Sequence, residues 1–194
     1  MYKEKTFGLP TMEGLSENQI SEHLKLYAGY IKNLNALEEK IASLTDNAEE
    51  NAIILAELKR RQGFEFNGMR LHEYYFEQLG GSGAAANGSE MMKALAAQFG
   101  SFENWLKDFK QTALMRGIGW VSLYYDGQEK KFFNVWVNSH EDGHLAGLTP
   151  IIVLDMWEHA FLLDYLPSQK KDYVEAFFKN LKWETSEERY KKVR

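Results

Sequence analysis

Behind Ser16-Glu17-Asn18-Gln19, which has the form of a capping box, apolar side chains fall at Ile20, Leu24, Tyr27, Ile31, Leu34, Leu37, Ile41 and Leu44. Steps of three and four keep these positions on one face, so the spacing predicts a long amphipathic helix. After a break at Asp46-Asn47, Ala52 to Arg61 and Asn67 to Leu79 carry two further helical patterns. The segment up to Leu79 therefore reads as an antiparallel helical hairpin with an interruption in its second arm.

Gly80 to Ser89 (GGSGAAANGS) is the clearest linker in the chain and predicts a division into two domains, 1–85 and 86–194. Asn87-Gly88-Ser89 within it has the form of a glycosylation sequon and is read as a turn. Beyond the linker, Glu90 to Phe99 and Phe102 to Met115 carry helical patterns, the second begun by Ser101. The period then changes. Trp120 to Tyr125 and Lys131 to Asn138 are rich in aromatic and β-branched residues and are joined across Asp126-Gly127, a hairpin signal. A third apolar run, Leu148 to Leu154, completes a three-stranded antiparallel sheet, and Lys170 to Leu181 supplies a closing helix. The expected class is α+β, with an N-terminal antiparallel helical hairpin domain followed by an α/β C-terminal domain built on that sheet.

Composition narrows the chemistry. The 194 residues include no cysteine, so neither disulfides nor thiolate-held zinc or iron–sulfur centres are available. Net charge is −5 with both signs mixed along the chain and no basic block, which argues against nucleic acid as a partner. No window approaches the roughly eighteen apolar residues of a membrane span. The N-terminus, Met1-Tyr2-Lys3-Glu4-Lys5 running into Phe7-Gly8-Leu9-Pro10, lacks the apolar stretch of a secretory signal, and the cytoplasm is the expected compartment.

Histidines are few, five in all, and three are placed suggestively. Asp155-Met156-Trp157-Glu158-His159 sets a carboxylate and an imidazole four residues apart where the third strand leaves the sheet. Asp with His is a ligand mixture that suits iron, manganese or zinc. His23 shares a helical face with Tyr27 and Tyr30, and His72 stands on another helix beside Gly68, Tyr75 and Phe76. Two inward histidines on facing helices plus the Asp155/His159 pair could form a four-ligand site at a domain interface. Spacing alone favours a packed or hydrogen-bonded core residue for each histidine taken singly.

Asp155 to Tyr165, DMWEHAFLLDY, resembles the D-V-W-E-H-A-Y-Y signature of the iron/manganese superoxide dismutase family. The resemblance extends to EHLKLYAGYIKNLN around His23, the helix around His72, SFENW, GIGW before the sheet, and Tyr173 to Glu184. It implies one iron or manganese ion per subunit, with His23 as axial ligand, His72, Asp155 and His159 as equatorial ligands, and solvent as the fifth. It also implies superoxide as substrate, Tyr30 as a gate and proton relay, Trp120 as a wall of the pocket, and a homodimer in which Glu158 crosses to the other subunit's ligand histidine.

The chain departs from that family at instructive positions. The glutamine that grips metal-bound solvent in many members comes from one of two places, which here hold Gly68 and His140, so His140 is the expected hydrogen-bond partner of the solvent ligand. Tyr27 and Leu162 replace a histidine–tyrosine pair across the interface, implying an apolar repacking. Ser122 replaces a tryptophan on the first strand, Phe76 a pocket tryptophan, Leu71 a polar residue, and Lys170 an arginine near the entrance. His144 matches nothing in the family and is expected at the surface. The alternative reading is a relative that binds metal without efficient dismutation, as a store or an interaction module. A helical adaptor with scattered core histidines comes third. Tyr30 and Trp120 favour the enzyme, because metal binding alone needs neither a gate nor a relay.

Overall fold

The predicted first helix is α1, Glu17–Thr45, and Ser16 caps it by accepting from the backbone N–H of Gln19 at 3.0 Å. The return half of the capping box is not made. The Ser16 N–H instead donates to Asp164 at 2.7 Å, and the Gln19 side chain is used elsewhere. The structure, a computed structural model, describes residues 1–85 and 88–194.

α2 runs unbroken over Ala52–Glu77, where the pattern predicted two pieces. Glycine inside a helix costs about 1 kcal/mol relative to alanine, and α2 holds two, Gly63 in the gap between the predicted pieces and Gly68 inside the second. Packing overrides it: Glu65, Gly68, Met69, His72, Tyr75 and Phe76 form a buried stripe along α2. The two long helices make the expected hairpin.

α3 (Glu90–Phe99) and α4 (Phe102–Ala113) follow, capped by the Ser89 and Ser101 side chains. Strands β1 (Trp120–Asp126), β2 (Lys131–Val137) and β3 (Thr149–Asp155) form an antiparallel sheet in the order β2-β1-β3. Its register pairs Trp120 with both Val137 and Asp155. Helix α5 (Lys170–Lys179) matches the predicted closing helix, but α6 (Trp183–Lys191) was not foreseen. Only Trp183, Ser186 and Tyr190 of α6 are buried, too sparse an apolar pattern to stand out among its charges.

β3 is an edge strand, and its free backbone groups are covered by side chains, as an edge requires. The Gln78 carboxamide, at the end of α2, accepts from the Val153 N–H at 3.2 Å and donates to the Val153 carbonyl. Arg189 of α6 donates to the Ile151 carbonyl at 3.1 Å. These bonds tie the helix that carries His72 to the strand that ends in Asp155. The described part of the glycine-rich segment is held too, with the Gly81 N–H on Asn180 at 2.9 Å and the Gly83 N–H on Leu181 at 3.2 Å. Residues 86 and 87, at the predicted domain boundary and within the Asn87-Gly88-Ser89 turn, lie outside the described residues. Among the described residues no helix is long and apolar enough to cross a membrane.

Candidate metal centre

Four elements deliver four donor atoms to one point. α1 brings His23, α2 brings His72, the last residue of β3 is Asp155, and the 3-10 turn Glu158–Ala160 brings His159. Asp155 Oδ2 lies 3.1 Å from His23 Nε2, 3.1 Å from His159 Nε2 and 3.7 Å from His72 Nε2. All four donor atoms fall within 4.8 Å of one another. His23, His72 and Asp155 are fully buried, and the His159 side chain keeps 22% of its surface.

His72 and Asp155 are aimed by bonds on their far sides and His159 is held through its backbone, while His23 Nδ1 is buried without a partner. His72 Nδ1 donates to the Gly68 carbonyl at 2.6 Å, which leaves Nε2 facing inward as a buried nitrogen with no hydrogen-bond partner. The Trp157 N–H holds Asp155 Oδ1 at 2.8 Å and frees Oδ2. Tyr173 donates to the Asp155 carbonyl at 2.7 Å and receives the Tyr75 hydroxyl at 3.1 Å. Gln19 spans the gap between α1 and the His159 turn, donating to the His159 carbonyl at 2.6 Å and accepting from the Leu163 N–H at 3.0 Å. Sequence reasoning missed these three positioning residues. The only signal for Gln19 had been read as a cap.

The donor set fits a transition-metal ion. Donors about 2.1 Å from a common ion and about 90 to 120° apart around it stand about 3.0 to 3.6 Å from one another. The spacings around Asp155 Oδ2 match that, and a shared cation gives the orphaned His72 Nε2 a partner. Protonation agrees as well, since a metal needs neutral imidazoles and an ionised carboxylate. Burial pushes the His23 and His72 imidazoles below the ordinary histidine range, His72 furthest. Burial alone would raise the Asp155 carboxyl, but His159 and His23 outweigh it and hold it well below the usual carboxylate range.

A second set of predicted residues gathers beside the four. The Trp120 ring stands edge-on to His72 at 5.1 Å, and the Tyr30 ring lies 5.1 Å from the same imidazole. Trp120 Nε1–H donates to His140 Nδ1 at 2.9 Å, while His140 Nε2 lies 2.6 Å from the Tyr30 hydroxyl. An indole nitrogen can only donate, so Nδ1 accepts, the His140 proton sits on Nε2, and Nε2 donates to Tyr30. Burial raises the Tyr30 hydroxyl far above its ordinary range, which keeps it protonated with its own hydrogen free for another acceptor. His140 is fully buried against Phe64, 4.5 Å between rings.

That burial has a measurable consequence, because it pushes the His140 imidazole down from 6.5 to about 4. Between these values the unfolded chain binds a proton that the folded protein does not, so stability falls as pH falls. The contribution is complete above pH 6.5 and is lost on descent to about pH 4, amounting to about 3 kcal/mol. Denaturant unfolding of the metal-free protein should show it, and His140→Gln should flatten the loss relative to the parent. Equal slopes would mean that His140 protonates freely within the fold.

One of the remaining predicted positions, His144, departs from expectation, and Tyr27, Lys170 and Glu158 take defined places in the protomer. His144 is half-buried, not at the surface, with Nε2 on the His140 carbonyl at 2.6 Å and Nδ1 on the Tyr124 hydroxyl at 2.5 Å. Tyr27 is buried within the protomer, its ring 5.6 Å from that of Phe7 and 6.3 Å from that of Phe76. Its buried hydroxyl accepts from the Lys5 N–H at 3.0 Å and donates to Glu73 at 3.2 Å. Lys170 donates to the Gly117 carbonyl at 2.8 Å. Glu158 is exposed within the protomer, apart from the four donors and beside Leu162, Leu163 and Leu166, which are 43%, 55% and 64% exposed.

Three imidazoles and one carboxylate converging between a helical hairpin and a three-stranded sheet define a class, proteins that hold a single transition-metal ion through nitrogen and oxygen. Comparison with known proteins narrows it. Residues 87–189 match the family described as iron/manganese superoxide dismutases, C-terminal domain. The chain is 36% identical to a superoxide dismutase (Fe) of Cupriavidus metallidurans, across 98% of this chain and 96% of that one. It is 32% identical to a superoxide dismutase (Fe) of Aquifex pyrophilus, across 94% and 87% of the two chains. It is also 32% identical to a superoxide dismutase (Mn) of Haloarcula marismortui, across 92% and 86%. The chain belongs to the iron/manganese superoxide dismutase family.

Proposed function

We propose that this protein is a superoxide dismutase in which His23, His72, Asp155 and His159 hold one iron or manganese ion per subunit. The observation that carries the reading is the convergence of those four donors on one point, with His72 Nε2 buried and otherwise unpartnered. The bound ion supplies reversible one-electron transfer, so that one superoxide is oxidised to dioxygen and a second, taking up two protons, is reduced to hydrogen peroxide. Asp155 is the sole anionic donor among neutral imidazoles, which leaves the loaded site cationic and attractive to an anionic substrate. Tyr30 and His140 hold exchangeable protons beside His72. His140 Nε2–H points at Tyr30, and the Tyr30 hydroxyl hydrogen is available to an incoming oxygen anion. This chain favours an enzyme over a metal store, since storage requires no ordered proton donors.

The test is reconstitution of the metal-free protein with iron and with manganese separately. Superoxide consumption should rise in proportion to bound metal for at least one of them, and a loaded protein inactive with both would leave a metal store as the reading.

The same proposal includes the domain division at 85/86, a cytoplasmic antioxidant role in keeping with the cysteine-free sequence, and a homodimer. Support for the dimer is the exposed Leu162, Leu163 and Leu166 beside Glu158. His159 Nδ1 makes no hydrogen bond among the described residues, and Glu158 from a two-fold related copy would reach it. Sedimentation should find a dimer weakened by Glu158→Ala. A monomeric parent protein would remove that part of the proposal.

A further inference from the structure

The Trp120–His140–Tyr30 chain depends on a loop that the sheet must hold in place. Residues 138–148 connect β2 to β3, and the Asn138 N–H closes the loop on the Asp142 carbonyl at 2.9 Å. Gly143 sits at φ +105°, and a Cβ there would stand 3.1 Å from Val137 Cα, so glycine is what allows the chain to turn back at this point. The turn brings His144 round to face its neighbour in the loop. His144 Nε2 lies 2.6 Å from the His140 carbonyl, which can only accept, so Nε2 carries the proton. Nδ1 then accepts from the Tyr124 hydroxyl at 2.5 Å, a buried group whose pKa burial pushes up to about 12.

Trp120 and Tyr124 are four residues apart on β1 and so project from the same face of the sheet. That face therefore grips the loop twice, through Trp120 on the His140 ring and through Tyr124 and His144 on the His140 backbone. Ser122, between them on the same face, is small and fully buried. We propose that His144 is a positioning residue for catalysis, bracing His140 against β1 so that its Nε2–H stays aimed at Tyr30. This rests on the dismutase reading above only for its kinetic consequences, since the brace is a property of the fold.

His144→Phe removes both bonds while keeping a ring, and is expected to retain metal and lose about tenfold in turnover, as loss of an outer hydrogen-bond partner does. Because the effect passes through His140, adding His144→Phe to His140→Ala should cause no further loss. His144→Gln, whose amide can still donate to the His140 carbonyl, should recover most of the activity, and Tyr124→Phe should fall between. Nitrogen NMR of the zinc-loaded, diamagnetic protein gives a readout independent of turnover. The parent should show a single Nε2–H tautomer at His140, and His144→Phe should show exchange between tautomers. An unchanged His140 spectrum in His144→Phe, or additive losses in the double variant, would overturn the brace. A loaded parent protein without dismutase activity but with the tautomer change would overturn the dismutase reading alone.

Discussion

Asp155→Ala is expected to abolish metal binding and superoxide turnover together while leaving a folded protein. Asp155 Oδ2 is the point on which the three imidazole nitrogens converge, and it is the only anionic donor in the cluster. Without it the remaining donors are neutral, and nothing offsets the charge of a divalent or trivalent ion brought into a buried site. The backbone of Asp155 still pairs with Trp120, and its carbonyl still accepts from Tyr173, so the local losses are the carboxylate's bonds to the Trp157 N–H, His23 Nε2 and His159 Nε2, each worth about 1 kcal/mol. The metal-free form should therefore melt at a lower temperature than the parent and still fold, while its rise in melting temperature on adding iron or manganese should vanish. That rise corresponds to about 2.7 kcal/mol when free metal stands a hundredfold above its dissociation constant. Asp155→Asn separates charge from shape, because its amide oxygen can keep the Trp157 bond; it should bind metal almost as poorly as alanine. Elemental analysis and melting curves decide the matter, and undiminished metal in either variant would exclude Asp155 as a ligand.

What the chain disclosed in advance follows the range of the interactions involved. α1, the β1–β2 hairpin and β3 were legible because their signals are local: a 3.6-residue apolar period, a capping serine, and β-branched runs about an Asp-Gly turn. Asp155 and His159 were legible as a pair for the same reason. Their partners were not, since spacing cannot bring residues 23, 72 and 155 together, and it was resemblance to a family that joined them. Elements were misjudged where tertiary contacts decide. α2 survives two glycines because α1 covers its buried stripe, and α6 hides a sparse set of anchors in a charged segment. The residues that aim the ligands were the least visible. Gln19 acts on a turn 140 residues away, and Tyr75 acts on Asp155 through Tyr173, 98 residues further along the chain. His144 looked like a surface residue because neither of its partners leaves a periodic trace.

Gly68 shows how one position can carry several duties at once, and Gly68→Ala is the second large effect expected. A Cβ at residue 68 would lie 2.5, 2.7 and 3.0 Å from three carbons of the Tyr30 ring, so the ring has to move. Tyr30 is held on its other side by His140, at 2.6 Å from its hydroxyl, and by Phe64, 6.1 Å between ring centres, so that movement breaks the hydrogen bond to His140. The Gly68 carbonyl, by contrast, stays on the helix and keeps its bond to His72 Nδ1. Metal binding should therefore survive while proton delivery suffers, the reverse of Asp155→Ala. Overpacking of this kind costs about 1 to 3 kcal/mol, offset in part by alanine's better helix propensity. Turnover should fall about tenfold or more, on the scale of a misplaced general acid. Tyr30→Phe, which removes the hydroxyl without displacing the ring, should match Gly68→Ala in turnover and not in stability. If Gly68→Ala keeps full activity at full metal content, then the place of the Tyr30 ring against α2 does not matter to the reaction. The relay would then have to run through other groups.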